Sequence, residues 1–176
     1  MKKKGWALPR PARGRNPGPR NLRTRVQGGA LAFLLLASCS APPPPPPPKL
    51  ALTIHAGASQ NPDPSGHPEP VAVRVYQLTG TGKFERADIF SLLDHQETAL
   101  GPEMLGEEEV LISPGETRTL TREVKPGTQF VGVAVLFRDA DHAKWRAVAP
   151  AAAHGTTALT VGTTGLVASL SRGKAS

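Results

Sequence analysis

The chain has 176 residues, which suits one domain. Its net charge of +7 points at first to nucleic acid or an anionic membrane, yet nine of the 21 basic residues and none of the 14 acidic ones lie in residues 1–38. The remainder carries 12 basic against 14 acidic side chains, so the body is near neutral and argues against nucleic acid.

In chain order, the basic front ends at Arg25, and the apolar stretch "ALAFLLLA" fills residues 30–37. That stretch is far short of the ~20 residues a membrane-spanning helix needs. It has the length and flanks of a secretory signal core, so residues 1–38 are expected to be a lipoprotein-type signal peptide, removed on maturation. The sequence Leu36-Ala37-Ser38-Cys39 resembles a bacterial lipobox. The resemblance implies that Cys39 is alkylated with diacylglycerol, freed by signal peptidase II and then acylated at its amine. Several acyl chains at ~0.8 kcal/mol per buried methylene make a stable anchor. Ser40, where an aspartate would resemble an inner-membrane retention signal, favours the outer membrane. Cys39 is the sole cysteine, so a lipidated chain has no disulfide, thiolate metal ligand or cysteine nucleophile left.

Residues 39–49 then read as the lipidated cysteine followed by a spacer. Seven prolines, 42–48, favour extended polyproline II and reach roughly 20 Å. Residues 50–176 read as a β-sandwich domain. "LALTIHAGAS" (50–59) alternates, with Leu50, Leu52, Ile54, Ala56 and Ala58 on one face. "NPDPSGHPEP" (61–70) has four prolines and a glycine and reads as a loop. "VAVRVYQL" (71–78) is a second strand. "FERADIFSLL" (84–93) has an apolar helical stripe, with Asp88 as a candidate cap, and a second helical turn is expected at 102–105. This places a helical insertion near 84–105. Strands follow at 109–112, 117–124, 129–137, 145–149, 157–162 and 165–170. The stretch "QFVGVAVLF" (129–137) is nearly all apolar and is expected to be covered on both faces. About eight short strands with Gly/Pro turns and a small helical insertion predict a mainly all-β, two-sheet sandwich.

No catalytic pattern stands out. "RDADH" (138–142) offers two carboxylates and a histidine but lacks the spacing of a calcium loop, and a charged turn explains it better. His55, His67, His95 and His154 have no zinc-ligand spacing. "EEE" (107–109) reads as a solvated stretch that discourages edge pairing. Phe84, Phe90, Phe130, Phe137 and Trp145 read as core residues. The chain is therefore expected to be no enzyme, with no metal and no cofactor beyond the lipid on Cys39.

Several stretches in order then carry a resemblance. They are the first strand leading to Asn61-Pro62-Asp63, Gly66 and Pro70, and the strand with Arg74, Tyr76, Gln77 and Leu78. "F-x-x-A-D-x-F-x-L-L" (84–93), Leu100-Gly101, "ISPGE" (112–116), "VGVAVLFRD" (131–139) and Trp145-Arg146 complete the series. Together they resemble the TssJ (SciN/VasD) family of type VI secretion outer-membrane lipoproteins. The resemblance implies a transthyretin-like β-sandwich of two sheets with a small helical insertion. It implies an outer-membrane lipoprotein, facing the periplasm, that holds the periplasmic C-terminal part of TssM, which works with TssL. It assigns partner contact to the loop between the first two strands, here Asn61, Pro62, Asp63, Pro64, Ser65, Gly66, His67, Pro68, Glu69 and Pro70. Asp63 and Glu69 are available in that reading to pair with basic groups. A second reading is a lipidated sandwich that binds a small ligand and has no part in secretion, which needs a concave site lined with aromatics or clustered ligands.

Overall fold

A computed structural model describes residues 45–173. Cys39, the signal segment and the first three prolines of the run lie outside the described residues. Eight strands form two sheets among them: β1 Lys49–Ala56, β2 Val71–Leu78, β3 Met104–Ile112, β4 Thr117–Glu123, β5 Phe130–Val135, β6 Arg146–Pro150, β7 Thr156–Thr164 and β8 Val167–Arg172. One sheet has the order β4-β1-β7-β8, the other β3-β2-β5-β6. The pairings are antiparallel except β1 with β7, which is parallel.

Alternation decides which sides meet. Leu50, Leu52, Ile54 and Ala56 of β1 and Val71, Val73 and Val75 of β2 are buried in one core with Val131, Val133 and Val135 of β5 and Leu159 and Val161 of β7. Ala58, expected to continue the first apolar face, is exposed, because β1 stops at Ala56 and the chain turns. The other end of β1 also differs from expectation. Lys49 already belongs to the strand, and the Pro48 carbonyl accepts from Val124 N at 2.8 Å. The last proline is thus fastened to the domain.

The helical insertion forms a third layer. It consists of α1 Gly82–Arg86, α2 Ile89–Asp94 and α3 Gln96–Leu100, followed by a 3-10 turn, Gly101–Glu103. The outward face of β2 and β5 supplies Tyr76, Leu78 and Ala134, on which Phe84, Leu92 and Leu100 pack. β5 is therefore covered on both sides, as its apolar run predicts. Tyr76 and Phe84 meet with ring centroids 5.4 Å apart. A Cβ on Gly132 would lie 3.0 Å from Leu78 Cδ1 and Phe84 Cζ, so the glycine makes room for the phenylalanine ring.

The single stripe expected over 84–93 is two helices. Ala87 has ψ 140°, which breaks the ladder, and Asp88 restarts it by accepting from Ser91 N at 2.9 Å. Asp88 thus caps α2, while α3 is an additional helix absent from the sequence reading. The helical turn expected at 102–105 stops at Glu103, and Met104 opens β3. The expectation that Phe90 belongs to the core is wrong, since it is 64% exposed. Ile89 and Leu92 take the buried positions of that short helix instead.

Candidate functional site

Strand direction sorts the connections to two ends of the sandwich. Pro45 to Pro48 enter beside the 124–129 turn and Ala152 to His154. The β1–β2, β3–β4, β5–β6 and β7–β8 connections lie at the far end. Eight residues of β1 separate the ends by roughly 25 Å, at about 3.3 Å per residue.

Two buried polar residues organise the far end. Gln60 donates Nε2–H to the Ile112 carbonyl at 3.0 Å, and its Oε1 accepts from the Thr163 hydroxyl. Asn61 donates its backbone N–H to the Gly165 carbonyl at 2.8 Å and its Nδ2–H to the Pro70 carbonyl at 2.9 Å. Its Oδ1 accepts from Arg138 N at 2.8 Å. Gln60 and Asn61 therefore tie the loop to the end of β3, to β7, to the β7–β8 turn and to the β5–β6 connection. Asn61 holds φ +47°, a left-handed geometry that asparagine tolerates better than most residues. Gly57 is also constrained, because a Cβ there would lie 2.5 Å from the Thr163 carbonyl oxygen.

The loop beyond Asn61 is self-braced. Asp63 Oδ1 accepts from Ser65 N and His67 N, each at 2.8 Å. The Asp63 N–H donates to the His67 carbonyl at 2.8 Å, Gly66 N donates back to Asp63 O, and Pro62 pairs with Pro68. This is an Asx-type turn closed by prolines, with little freedom left to lose on binding. Asp63 serves the loop itself, and His67 lies 3.5 Å from its carboxylate. Asn61 is buried, and Pro62, Asp63 and Glu69 are half-buried. Pro64, Ser65, Gly66, His67, Pro68 and Pro70 are exposed. The loop thus presents its tip, while its base is structural. Gln60 is the rim residue that the sequence reading missed, and a buried glutamine next to an αL asparagine has no simple sequence signal.

The "RDADH" segment is a turn of the same far end. His142 Nδ1 and Asp139 Oδ1 are 2.8 Å apart, and the hydrogen bond and charge of Asp139 raise the histidine's pKa above its ordinary range. No group of three metal-ligating side chains occurs among the described residues. Glu107, Glu108 and Glu109 lie on the edge strand β3. Glu109 accepts from Arg74 at 2.6 Å and Glu108 from Arg122 of β4 at 2.8 Å. A hollow on the outer face of the β4-β1-β7-β8 sheet is lined by Thr53, Thr119, Thr121, Thr156 and Thr160 with Ala51 and Ala158, and by no aromatic side chain. That lining gives little support to the small-ligand reading.

Residues 48–165 match the type VI secretion lipoprotein family model T6SS-SciN, whose description names VasD, EvfM and TssJ. The chain belongs to the type VI secretion lipoprotein family. Its fold is similar to that of the lipoprotein TssJ1 from Pseudomonas aeruginosa, at TM-score 0.71 and 30% identity over 74% of this chain and 100% of that one. It is also similar to a chain of a structure described as a type VI membrane complex, at TM-score 0.62 and 26% identity over 70% and 97% of the two chains. A chain in a structure described as the TssM C-terminal domain from EAEC matches at TM-score 0.58 and 25% identity, over 69% and 99%. A search of curated proteins gives no match. The family is one of secretion-system lipoproteins, and the T6SS lipoprotein function follows from membership.

Proposed function

We propose that this type VI lipoprotein is an outer-membrane tether: lipidated at Cys39, it faces the periplasm and holds the periplasmic C-terminal part of TssM, itself working with TssL. In this reading residues 1–38 are removed and residues 42–48 space the domain from the bilayer. The observation that carries it is the separation of the two ends. The proline run enters at one end, and the rigid rim built by Gln60 and Asn61 presents the 61–70 tip at the other. A body with an anchor at one end and a preorganised surface at the other transmits position without catalysing anything. The likeness to chains of the membrane-complex and TssM-domain structures supports the choice of partner.

The test is a Cys39→Ser variant in a secreting cell, with residues 1–38 exchanged for a secretory signal that is cleaved without lipidation. The expected result is a soluble periplasmic protein that still binds the TssM domain while secretion stops. Secretion at wild-type level by that variant, or failure of the wild-type lipoprotein to bind the TssM domain, overturns the reading.

A further inference from the structure

The helical layer covers only part of the outer face of the β3-β2-β5-β6 sheet. One row across that face is Glu109, Arg74, Ala134 and Arg146, paired in register. Arg146 Nη1 donates to the Ala87 carbonyl at 2.6 Å, just before α2, and Arg74 Nη1 donates to the Leu92 carbonyl at 2.8 Å near its end. α2 therefore lies across the strands above this row, from β6 to β2. Ser91 borders a hollow shared with Lys83 and Arg86 of α1 and Thr98 and Ala99 of α3. That flank of α2 faces the other helices. At about 100° per residue, Phe90 and Leu93 fall on the opposite flank, toward the far end.

Beside that flank runs the next row of the sheet, about 7 Å along the strands. It consists of Leu111 paired with Ala72, followed by Leu136, whose N–H donates to the Ala72 carbonyl at 2.9 Å. Leu111 faces outward because Val110 and Ile112 are in the core. Leu111 is 62% exposed and Phe90 64%, and these are the two most exposed large apolar side chains among the described residues. Ala72, Leu93 and Leu136 are half-buried. The result is an apolar shelf on the sheet, bordered by a helix and left open on the far-end side.

We infer that this shelf, with Phe90 and Leu111 as its anchors, is part of the partner interface and receives apolar side chains of the same periplasmic partner domain that meets the 61–70 tip. The inference rests on the tether reading. Continuity assigns the occupant: Pro70 ends the loop, Val71 follows it and Ala72 is already in the shelf, so one rigid body reaches both. A lipid surface is disfavoured because the proline run enters at the opposite end of the domain. Large exposed aromatic and aliphatic side chains beside a rigid rim have the character of interface anchors.

The experiment uses the full-length lipoprotein in detergent and the TssM periplasmic domain of the same genome. Phe90→Gln with Leu111→Thr keeps helix and strand propensity and removes only exposed apolar surface, so thermal melting is expected to stay unchanged. Binding is expected to weaken at least about tenfold. Hydrogen exchange on the wild-type complex needs no substitution, and slowed exchange at 89–93 and 110–112 supports the inference. Wild-type binding with unchanged affinity in the double variant, and protection confined to 61–70, overturns it and leaves the tether standing. Absence of wild-type binding overturns both. A wild-type dimer that becomes monomeric in the double variant gives the shelf to a second copy and overturns the inference.

Discussion

Asn61 makes three structural hydrogen bonds and occupies a backbone geometry that most side chains resist. Replacing it by alanine leaves the Pro70 carbonyl and the Arg138 N–H unpaired in a partly buried setting and keeps the positive φ. The two lost bonds, part-buried and each contributing about 0.5–1.5 kcal/mol, together cost about 1–3 kcal/mol, and alanine at such a φ adds about 1 kcal/mol. Asn61→Ala is expected to lower unfolding stability by about 2–4 kcal/mol in urea titration. Asn61→Gly relieves the backbone while losing the same bonds, so it is expected to fall between the two. Equal stability of wild type and Asn61→Ala would show that the rim is not held this way. The sequence marks Asn61 as part of a loop motif, but not its reason. The bonds reach Arg138 and Gly165, 77 and 104 positions away, and no local pattern reports such partners. By contrast the Asx turn at Asp63 has a local signal, Asp-Pro-Ser-Gly within four positions, although the sequence reading took from it only a loop and left Asp63 available to a partner. Phe90 shows the opposite failure: a six-residue helix buries one narrow side, and pattern alone gave it one apolar residue too many.

The helices of the insertion are five, six and five residues long, too short to be stable by themselves. Two arginines on the sheet's outer face, one on β2 and one on β6 with β5 between them, hold them. Arg146 satisfies the carbonyls of Phe84 and Ala87 at the end of α1, and Arg74 those of Leu92 and Leu93 at the end of α2. A cation at a helix C-terminus also meets the negative end of the dipole. Arg74, 16% exposed, is held in place from β3 by Glu109 at 2.6 Å. Arg74→Met keeps the aliphatic stem but drops the clamp. Its expected signature is faster hydrogen exchange across 82–100 with the strands of the sandwich unchanged. Loss of protection spread evenly over the β-sheets would refute a local clamp. Arg74 and Trp145-Arg146 are legible in sequence as members of an ordered set, while their shared role depends on sheet register. At the open side of the sandwich, β3 and β4 are both edge strands. Arg118 and Arg122 lie in register with the core-facing Ile54 and Leu50, and Glu108 meets Arg122. Inward charges on an edge discourage pairing with another chain, which agrees with the sequence reading of the glutamates.

At the scale of the whole molecule, the proposed tether depends on how far the far end stands from the anchor. The domain contributes roughly 25 Å through β1, and a seven-proline run contributes roughly 20 Å more when extended. The last proline carbonyl is bonded to Val124, so the run continues directly from a sheet strand. A Gly/Ser run of the same length has a root-mean-square span of only about 15 Å and no fixed direction. Deleting Pro42 to Pro47 while keeping Pro48 preserves the Val124 bond and the strand but removes most of the reach. That variant is expected to fold, melt and bind the TssM domain in detergent as the wild type does. In the cell it is expected to fractionate with the outer membrane and to secrete poorly, because the tip no longer reaches its partner. A Gly/Ser replacement is expected to fall between the two, since length is kept and stiffness lost. If both variants secrete at the wild-type level, the run acts neither as a spacer nor as a stiff element, and proximity of the rim to the bilayer is no obstacle to assembly.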